Sequence, residues 1–267
     1  MPEPASPPTA ALSWRRPLGT LRHLRRMPAY RLGTLRRGRR TAATAIWLAV
    51  AALLWGGSTI PALTCSMAGE WAGFGEILLM MGGRLAGCHL FWIAAAVCGA
   101  LAFSPERRGR TMDQLALLPQ SGAEVALSRA LAAAEPLFPA VLLSVALEFV
   151  LIPWAGSRLD HSGDDSALWF MLLFALFSST TTASAALLAF ALGLWAALLA
   201  RTAGRALLLT FGLLALTEGA YLFLSAVLWP VSLGLPLLSL AAGGLFLRAA
   251  ARGFDRLVLE REDPEAA

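Results

Sequence analysis

A charged insert, residues 104–131, separates two strongly apolar runs of this chain. Glu106, Arg107, Arg108 and Arg110 follow the first run directly, and the insert ends where the second run begins. These side chains can form an ionic contact surface for another molecule. They can also simply hold the insert on one side of a membrane, because arginine-rich loops resist translocation. Both interpretations are open at this point.

Two helix-start signals give the insert a defined local structure. Thr111 and Gln114 have the spacing of a capping box, and apolar residues then follow at helical intervals until Pro119. Ser121 and Glu124 form a second box of the same kind, from which a helix can run directly into the next apolar run. We therefore predict a short amphipathic helix and an elbow instead of a flexible loop.

Glu218 is the ionisable residue placed deepest in an apolar run, at the middle of residues 206–228. A carboxylate facing lipid there costs about 2.5–3.5 kcal/mol, so Glu218 should face the bundle interior or water. A role in substrate passage or proton linkage and a purely structural role are both open. For His89 and Glu148, near the ends of their runs, a structural role is favoured.

A run of hydroxyl side chains interrupts the fourth apolar run. Such residues can line a translocation path, for which we single out Ser178, Thr181 and Thr182. They can also bond to their own helix carbonyls or to neighbouring helices, and this packing role is favoured. The hydroxyl run comprises Ser178, Ser179, Thr180, Thr181, Thr182 and Ser184.

Several kinds of chemistry are disfavoured by composition. All 22 basic residues are arginine, so the chain has no P-loop lysine and no Schiff-base lysine. The 3 histidines are scattered, and the 3 cysteines lack metal-binding spacing. We expect no cofactor or metal bound directly by this chain. The remaining catalytic candidates share one loop without a nucleophile: Asp160, His161, Asp164 and Asp165.

The elements that carry these residues are predicted to be membrane-spanning helices. Hydrophobic residues make up 57% of the 267 residues and charged residues 15%, a composition typical of membrane proteins. Each apolar run approaches the roughly 20 residues that cross a bilayer, although the fourth exceeds one crossing. The fold class is therefore an all-α integral membrane protein with six transmembrane helices. The predicted spans are residues 42–64, 86–104, 131–153, 167–199, 206–228 and 231–247.

Arginine distribution predicts the orientation. With both termini in the cytoplasm, twenty arginines lie in inner segments, and only Arg84 and Arg158 lie outside. Ahead of the first span, residues 1–40 are predicted to be disordered and then to form a basic amphipathic segment at an anionic membrane surface. The alternative is a flexible basic tail that only sets topology. A nucleic-acid-binding arm is disfavoured because the arginine cluster adjoins a span, so we expect no nucleic-acid partner. Residues 41–248 form the transmembrane domain, and residues 249–267 form a cytoplasmic tail.

The insert resembles the first cytoplasmic loop of the permease subunits of type-2 ABC exporters. In that family the loop has a characteristic order of residues. It contains Glu-Arg, then Gly, Thr, a leucine-rich turn, Pro, a small polar residue, a Glu-hydrophobic pair and finally a basic residue. The chain departs from the pattern by the additional Arg110 and by Leu118 before Pro119. The matching residues are Glu106, Arg107, Gly109, Thr111, Leu115, Leu117, Pro119, Ser121, Glu124, Val125 and Arg129.

The resemblance implies an ATP-driven exporter in which this chain is the permease and not the enzyme. ATP and Mg²⁺ would bind a separate ABC ATPase subunit, and a second, identical or different permease subunit would complete the pathway among the lipids of a cell membrane. The arginine-only set of basic residues suggests that the cell is bacterial. Competing interpretations are an ion-coupled secondary transporter or channel and a lipid-modifying membrane enzyme. The implied ATPase-coupling contact comprises Glu106, Arg107, Arg108, Arg110, Thr111, Met112, Asp113, Gln114 and Leu115.

Overall fold

The regular structure of the chain is helical. The computed structural model describes residues 17–36, 89–108, 114–115, 118, 120–159, 165–200, 202–227 and 234–259, and these ranges contain no strand. The all-helical fold predicted from composition is therefore confirmed. The helices are α1 (Pro17–Arg26), α2 (Pro28–Arg36), α3 (89–100), α4 (Ser104–Arg108), α5 (Gly122–Ala134), α6 (Phe138–Leu159), α7 (Asp165–Leu199), α8 (Ala203–Val227) and α9 (Leu235–Leu259).

Five helical segments in the described part of the chain are long and apolar enough to cross a membrane. They correspond to the second to sixth predicted spans, as expected for a membrane protein, while the first predicted span, 42–64, lies outside the described residues. The number of six spans and the orientation therefore remain predictions. The five segments are His89–Arg107, Gly122–Leu147, Ala175–Leu199, Ala203–Ala220 and Pro236–Phe254.

The 35-residue helix α7 is the central element of the bundle and contacts α6, α8 and α9. It also crosses α3 at very short range through two glycines. A Cβ atom added to Gly99 would lie 2.2 Å from the carbonyl oxygen of Phe190, and one added to Gly193 would lie 2.2 Å from that of Ala96. Small residues let helix backbones approach closely in membranes, so this crossing depends on both glycines.

The entry into α6 is interrupted by a short turn that contains a proline. Ser121 caps α5 and forms the complete capping box with Glu124, which confirms the second helix start. A 3₁₀ turn, Glu135–Leu137, then separates α5 from α6. Pro136 lies in this turn and lacks the N–H that a continuous α-helix would use. The helix therefore begins at the predicted elbow but does not continue unbroken into the span.

Helices α1 and α2, which are separated by Met27 alone, both pack against α5. Leu24 and Tyr30 are buried with Leu131 of α5 and Ala251 of α9. Residues 37–40 and 1–16 lie outside the described part of the chain. The predicted basic segment therefore contains two helices, and one of its leucines anchors it to the membrane-spanning helices.

Helix α9 extends to Leu259, so the first part of the segment predicted as a tail continues the last helix. Phe254 is buried there, and its ring centroid lies 5.6 Å from that of Phe103. We call this end of the bundle the basic end. It comprises α1, α2, α4, α5 and the region of α9 around Phe254.

Candidate functional site

The first two residues of the predicted coupling contact point into the protein at the basic end. Glu106 on α4 forms an ion pair with the guanidinium group of Arg129 on α5, 23 residues further along the chain. Each side chain is only 1% exposed. A buried carboxylate is tolerated when a guanidinium group pairs with it, because the pair replaces hydration lost on burial. The pair therefore links the end of the α3–α4 segment to α5.

Arg107 makes a different connection from the neighbouring position. Its Nη2 atom donates hydrogen bonds to the carbonyl oxygen of Ala197 and, at 3.5 Å, to that of Leu198. These carbonyls belong to the last turn of α7, where backbone acceptors lack partners within the helix. A cation at this position also interacts favourably with the helix dipole. Glu106 and Arg107 together thus join α4 to α5 and α7.

In the later part of the predicted coupling contact, the structure describes two residues, one buried and one exposed. Leu115 is 2% exposed and packs in the same cluster as Phe103 and Val125. Its neighbour Gln114 is exposed. Leu115 therefore fixes this part of the insert on the bundle while Gln114 remains accessible. The other predicted contact groups lie outside the described residues: Arg110, Thr111, Met112, Asp113 and the side chain of Arg108.

A second set of polar contacts attaches α1 and α2 to α5 and to the 3₁₀ turn that follows it. Glu135 accepts a hydrogen bond from the Tyr30 hydroxyl and forms an ion pair of 3.3 Å with Arg25. Glu124, already part of the capping box, lies 3.2 Å from His23 Nε2. Sequence patterns gave no signal for these pairs, because their partners are about a hundred residues apart.

The hydroxyl residues of α7 bond largely to their own helix. Thr181 donates to the carbonyl of Phe177 at 2.8 Å, and Thr180 donates to that of Leu176 at 2.7 Å. Ser178 and Thr182 are buried. Because such bonds occupy the hydroxyl groups within the helix, this arrangement suits the packing role better than a lined path.

Glu218 lies on α8 and is half-buried. Its carboxyl group is close enough to His89 on α3 for the two groups to interact electrostatically. The His89 ring in turn lies 5.0 Å from the ring of Trp92. Glu218 thus lies within a candidate span, while His89 lies at the first described residue of α3.

Within the described ranges, no cluster of three histidine, cysteine, aspartate or glutamate residues could hold a metal ion. The candidate loop group Asp160, His161 and Asp164 lies outside those ranges, as does the side chain of Asp165. The fold and the buried ion pair define a helical membrane protein whose helices are tied together at one end by arginine. No protein-family model, curated protein or solved structure matches the chain.

Proposed function

We propose that this chain is the membrane-spanning permease subunit of an ATP-driven exporter. The observation that supports the proposal best is the exposed Gln114 beside the anchored Leu115, in the insert between two candidate spans. A partner ATPase needs such a fixed, accessible element, because a mobile loop would absorb its movement without passing it to the spans. The resemblance of the insert to the exporter family adds to this argument.

The buried contacts of Glu106 and Arg107 suggest how a movement would be transmitted. Closure of the ATPase around ATP and Mg²⁺ would displace the insert near Gln114. Because Glu106 ties α4 to Arg129 of α5, and Arg107 ties it to the end of α7, the displacement would move these helices together. The partner would thereby shift an equilibrium between two arrangements of the spans. Glu106 and Arg107 are positioning residues in this mechanism.

The same proposal assigns the environment of the chain. The basic end would face the cytoplasm of a bacterial cell, since arginine accumulates on that side. A second permease copy or a related chain would provide the other half of the pathway. The chain itself would hold no nucleotide, and hydrolysis would take place in the ATPase subunit.

Co-purification tests the association directly. The tagged chain is isolated from its native membrane in mild detergent, and bound ATPase is detected by photolabelling with azido-ATP and Mg²⁺. We expect Gln114→Arg to reduce the labelled partner strongly, because a larger charged side chain would alter the contact surface. Arg205→Gln, also exposed but at the start of α8, serves as the matched control and should retain the partner.

A wild-type chain that elutes as a folded species but never retains an ATP-binding protein would contradict the proposal. Equal retention by Gln114→Arg and the wild type would remove Gln114 from the contact. Glu106→Ala is unsuitable for this experiment, because it would perturb the buried ion pair and the contact surface together.

One alternative is an ion-coupled transporter, for which the ionisable Glu218 within a candidate span is the candidate residue. In that case Glu218→Gln should abolish proton movement in vesicles that contain the purified chain alone, because the amide cannot exchange a proton. Thr217→Val, which changes the adjacent residue, is the control. Proton movement without any ATPase, and its loss in Glu218→Gln, would favour this alternative over the exporter.

A further inference from the structure

Helix α1 lies at the level where two candidate spans end. Its buried residue Leu24 packs with Leu127 and Leu131, within the span segment Gly122–Leu147, and with Ala251, within the segment Pro236–Phe254. Leu127 lies near the start of the first segment, and Ala251 lies near the end of the second. Because both segments terminate here, α1 is placed at the boundary between hydrocarbon and lipid headgroups.

The basic residues of α1 fall into two groups. His23 contacts Glu124 and Arg25 contacts Glu135, so these two side chains are used in docking α1 against the bundle. Arg22 and Arg26 are both exposed and are separated by four residues. Residues with this spacing lie on the same side of a helix, one turn apart. The helix contains no acidic residue that would neutralise them.

An apolar residue accompanies this pair of arginines. Leu21 is 43% exposed and directly precedes Arg22. An exposed leucine beside arginine is typical of helices that lie in the membrane interface, where the apolar group enters the acyl region and the charges stay among headgroups. The three residues therefore present the two chemical features of a phospholipid-binding surface.

We propose that Leu21, Arg22 and Arg26 bind the headgroup of an anionic phospholipid. The two guanidinium groups would hold the phosphate by charge-assisted hydrogen bonds, while Leu21 contacts the first part of an acyl chain. Bound lipid would fix α1 against α5, to which the insert is also anchored. This binding site is independent of the proposed transport function, because it needs no ATPase.

Lipid titration of the purified full-length chain tests the site. Dioctanoyl phosphatidylglycerol is added to the protein in neutral detergent, and its apparent affinity is taken from the shift in thermal unfolding and from native mass spectrometry. Dioctanoyl phosphatidylcholine and inorganic phosphate are titrated in parallel. We expect phosphatidylglycerol to bind more tightly than either, because the site selects both the net charge and the acyl chain.

Single substitutions locate the site. Arg22→Gln and Arg26→Gln should each weaken phosphatidylglycerol binding about fivefold, the effect of one basic residue near an anionic surface. Arg205→Gln, a matched exposed arginine on α8, should leave it unchanged. Leu21→Ser retains both charges and should weaken lipid binding without creating a preference for phosphate.

Three results would overturn the proposal. The first is equal affinity for phosphatidylglycerol and phosphatidylcholine. The second is an equal loss of affinity in Arg205→Gln and Arg22→Gln, which would indicate diffuse electrostatic attraction instead of a site. The third is competition by inorganic phosphate alone at the same concentration as the lipid, which would indicate a site for a free anion.

Discussion

The basic end and helix α8 differ in how they are held by the rest of the protein. In the central helix α7, which meets the basic end through Arg107, 67% of an 18-residue window of the span segment Ala175–Leu199 is buried, whereas only 11% of the segment Ala203–Ala220 of α8 is buried. The charged residues of the basic end pair with groups on other helices. Most described side chains of α8, such as Leu208 at 75% exposure, have the exposure expected of a lipid-facing helix.

This difference indicates which helices of the described chain are held most firmly by their contacts. Ionic contacts at the basic end connect α4, α5 and α7, and close packing connects α3 with α7. Helix α8 has few buried contacts within the described part of the chain, so its position is less constrained by them. Within the described part of the chain, α8 is therefore less constrained by burial than α7.

The largest expected effect comes from breaking the buried ion pair. Glu106→Ala or Arg129→Ala leaves one buried charge without its partner, which should destabilise the fold by about 3–5 kcal/mol. Thermal unfolding in detergent measures the loss. The double substitution Glu106→Leu with Arg129→Met removes both charges and should be less destabilising than either single change. If the single variants unfold like the wild type, the basic end is not held together by this pair.

Glycine substitutions sharpen the comparison in the middle of the bundle. Gly99→Ala or Gly193→Ala places a Cβ atom 2.2 Å from a backbone oxygen, and separating the helices should cost about 1–3 kcal/mol. Gly212→Ala on α8 is the control, since an added Cβ there meets nothing within 4 Å. That change should be neutral or slightly stabilising, because alanine favours the helix. Equal effects at Gly99 and Gly212 would mean that α3 and α7 do not cross closely.

A third comparison is between the loss of stability on replacing Arg107 and the loss on replacing Arg205, an arginine of α8. Arg107→Ala removes the hydrogen bonds to the final carbonyls of α7 and should lower the free energy of unfolding by about 1.5–3 kcal/mol. Arg205→Ala, with an exposed side chain, should change it by about 0.5 kcal/mol or less. Chemical denaturation in mixed micelles can compare the two. A larger loss of unfolding free energy in Arg205→Ala than in Arg107→Ala would contradict the view that the basic end is held more firmly than α8.

The smallest effect is expected where an ionic contact at the basic end is exposed to solvent. His23 is 49% exposed in its contact with Glu124, so His23→Gln should cost about 1 kcal/mol or less. When His23 is protonated, the effect of its substitution should also diminish at high salt, unlike that of Glu106→Ala. Unfolding measured at low and high salt for both variants tests this ranking. Similar losses in the two variants would show that burial does not govern the strength of these pairs.

Several features could be predicted from local sequence alone. Apolar runs of sufficient length specify helices because a backbone in lipid must satisfy its own hydrogen bonds. The Ser121–Glu124 capping box specifies the start of α5, since both partners are four residues or fewer apart. Pro136 similarly marks the break before α6. These features depend on neighbouring residues, and their physical causes can be read directly from the chain.

The roles of the charged residues were decided by tertiary structure. Glu106 and Arg107 are charged residues of the kind usually found at protein surfaces, and the insert resembles a surface that contacts a partner. Both side chains nevertheless contact other helices of the same chain. Nothing local distinguishes a buried guanidinium from an exposed one, because its environment is formed by residues distant in sequence. The same holds for Gly99 and Gly193, which become essential only where two helices cross. The sequence thus determined where the helices form and which residues are charged. Packing determined which charged side chains are buried and join helices, and which remain exposed.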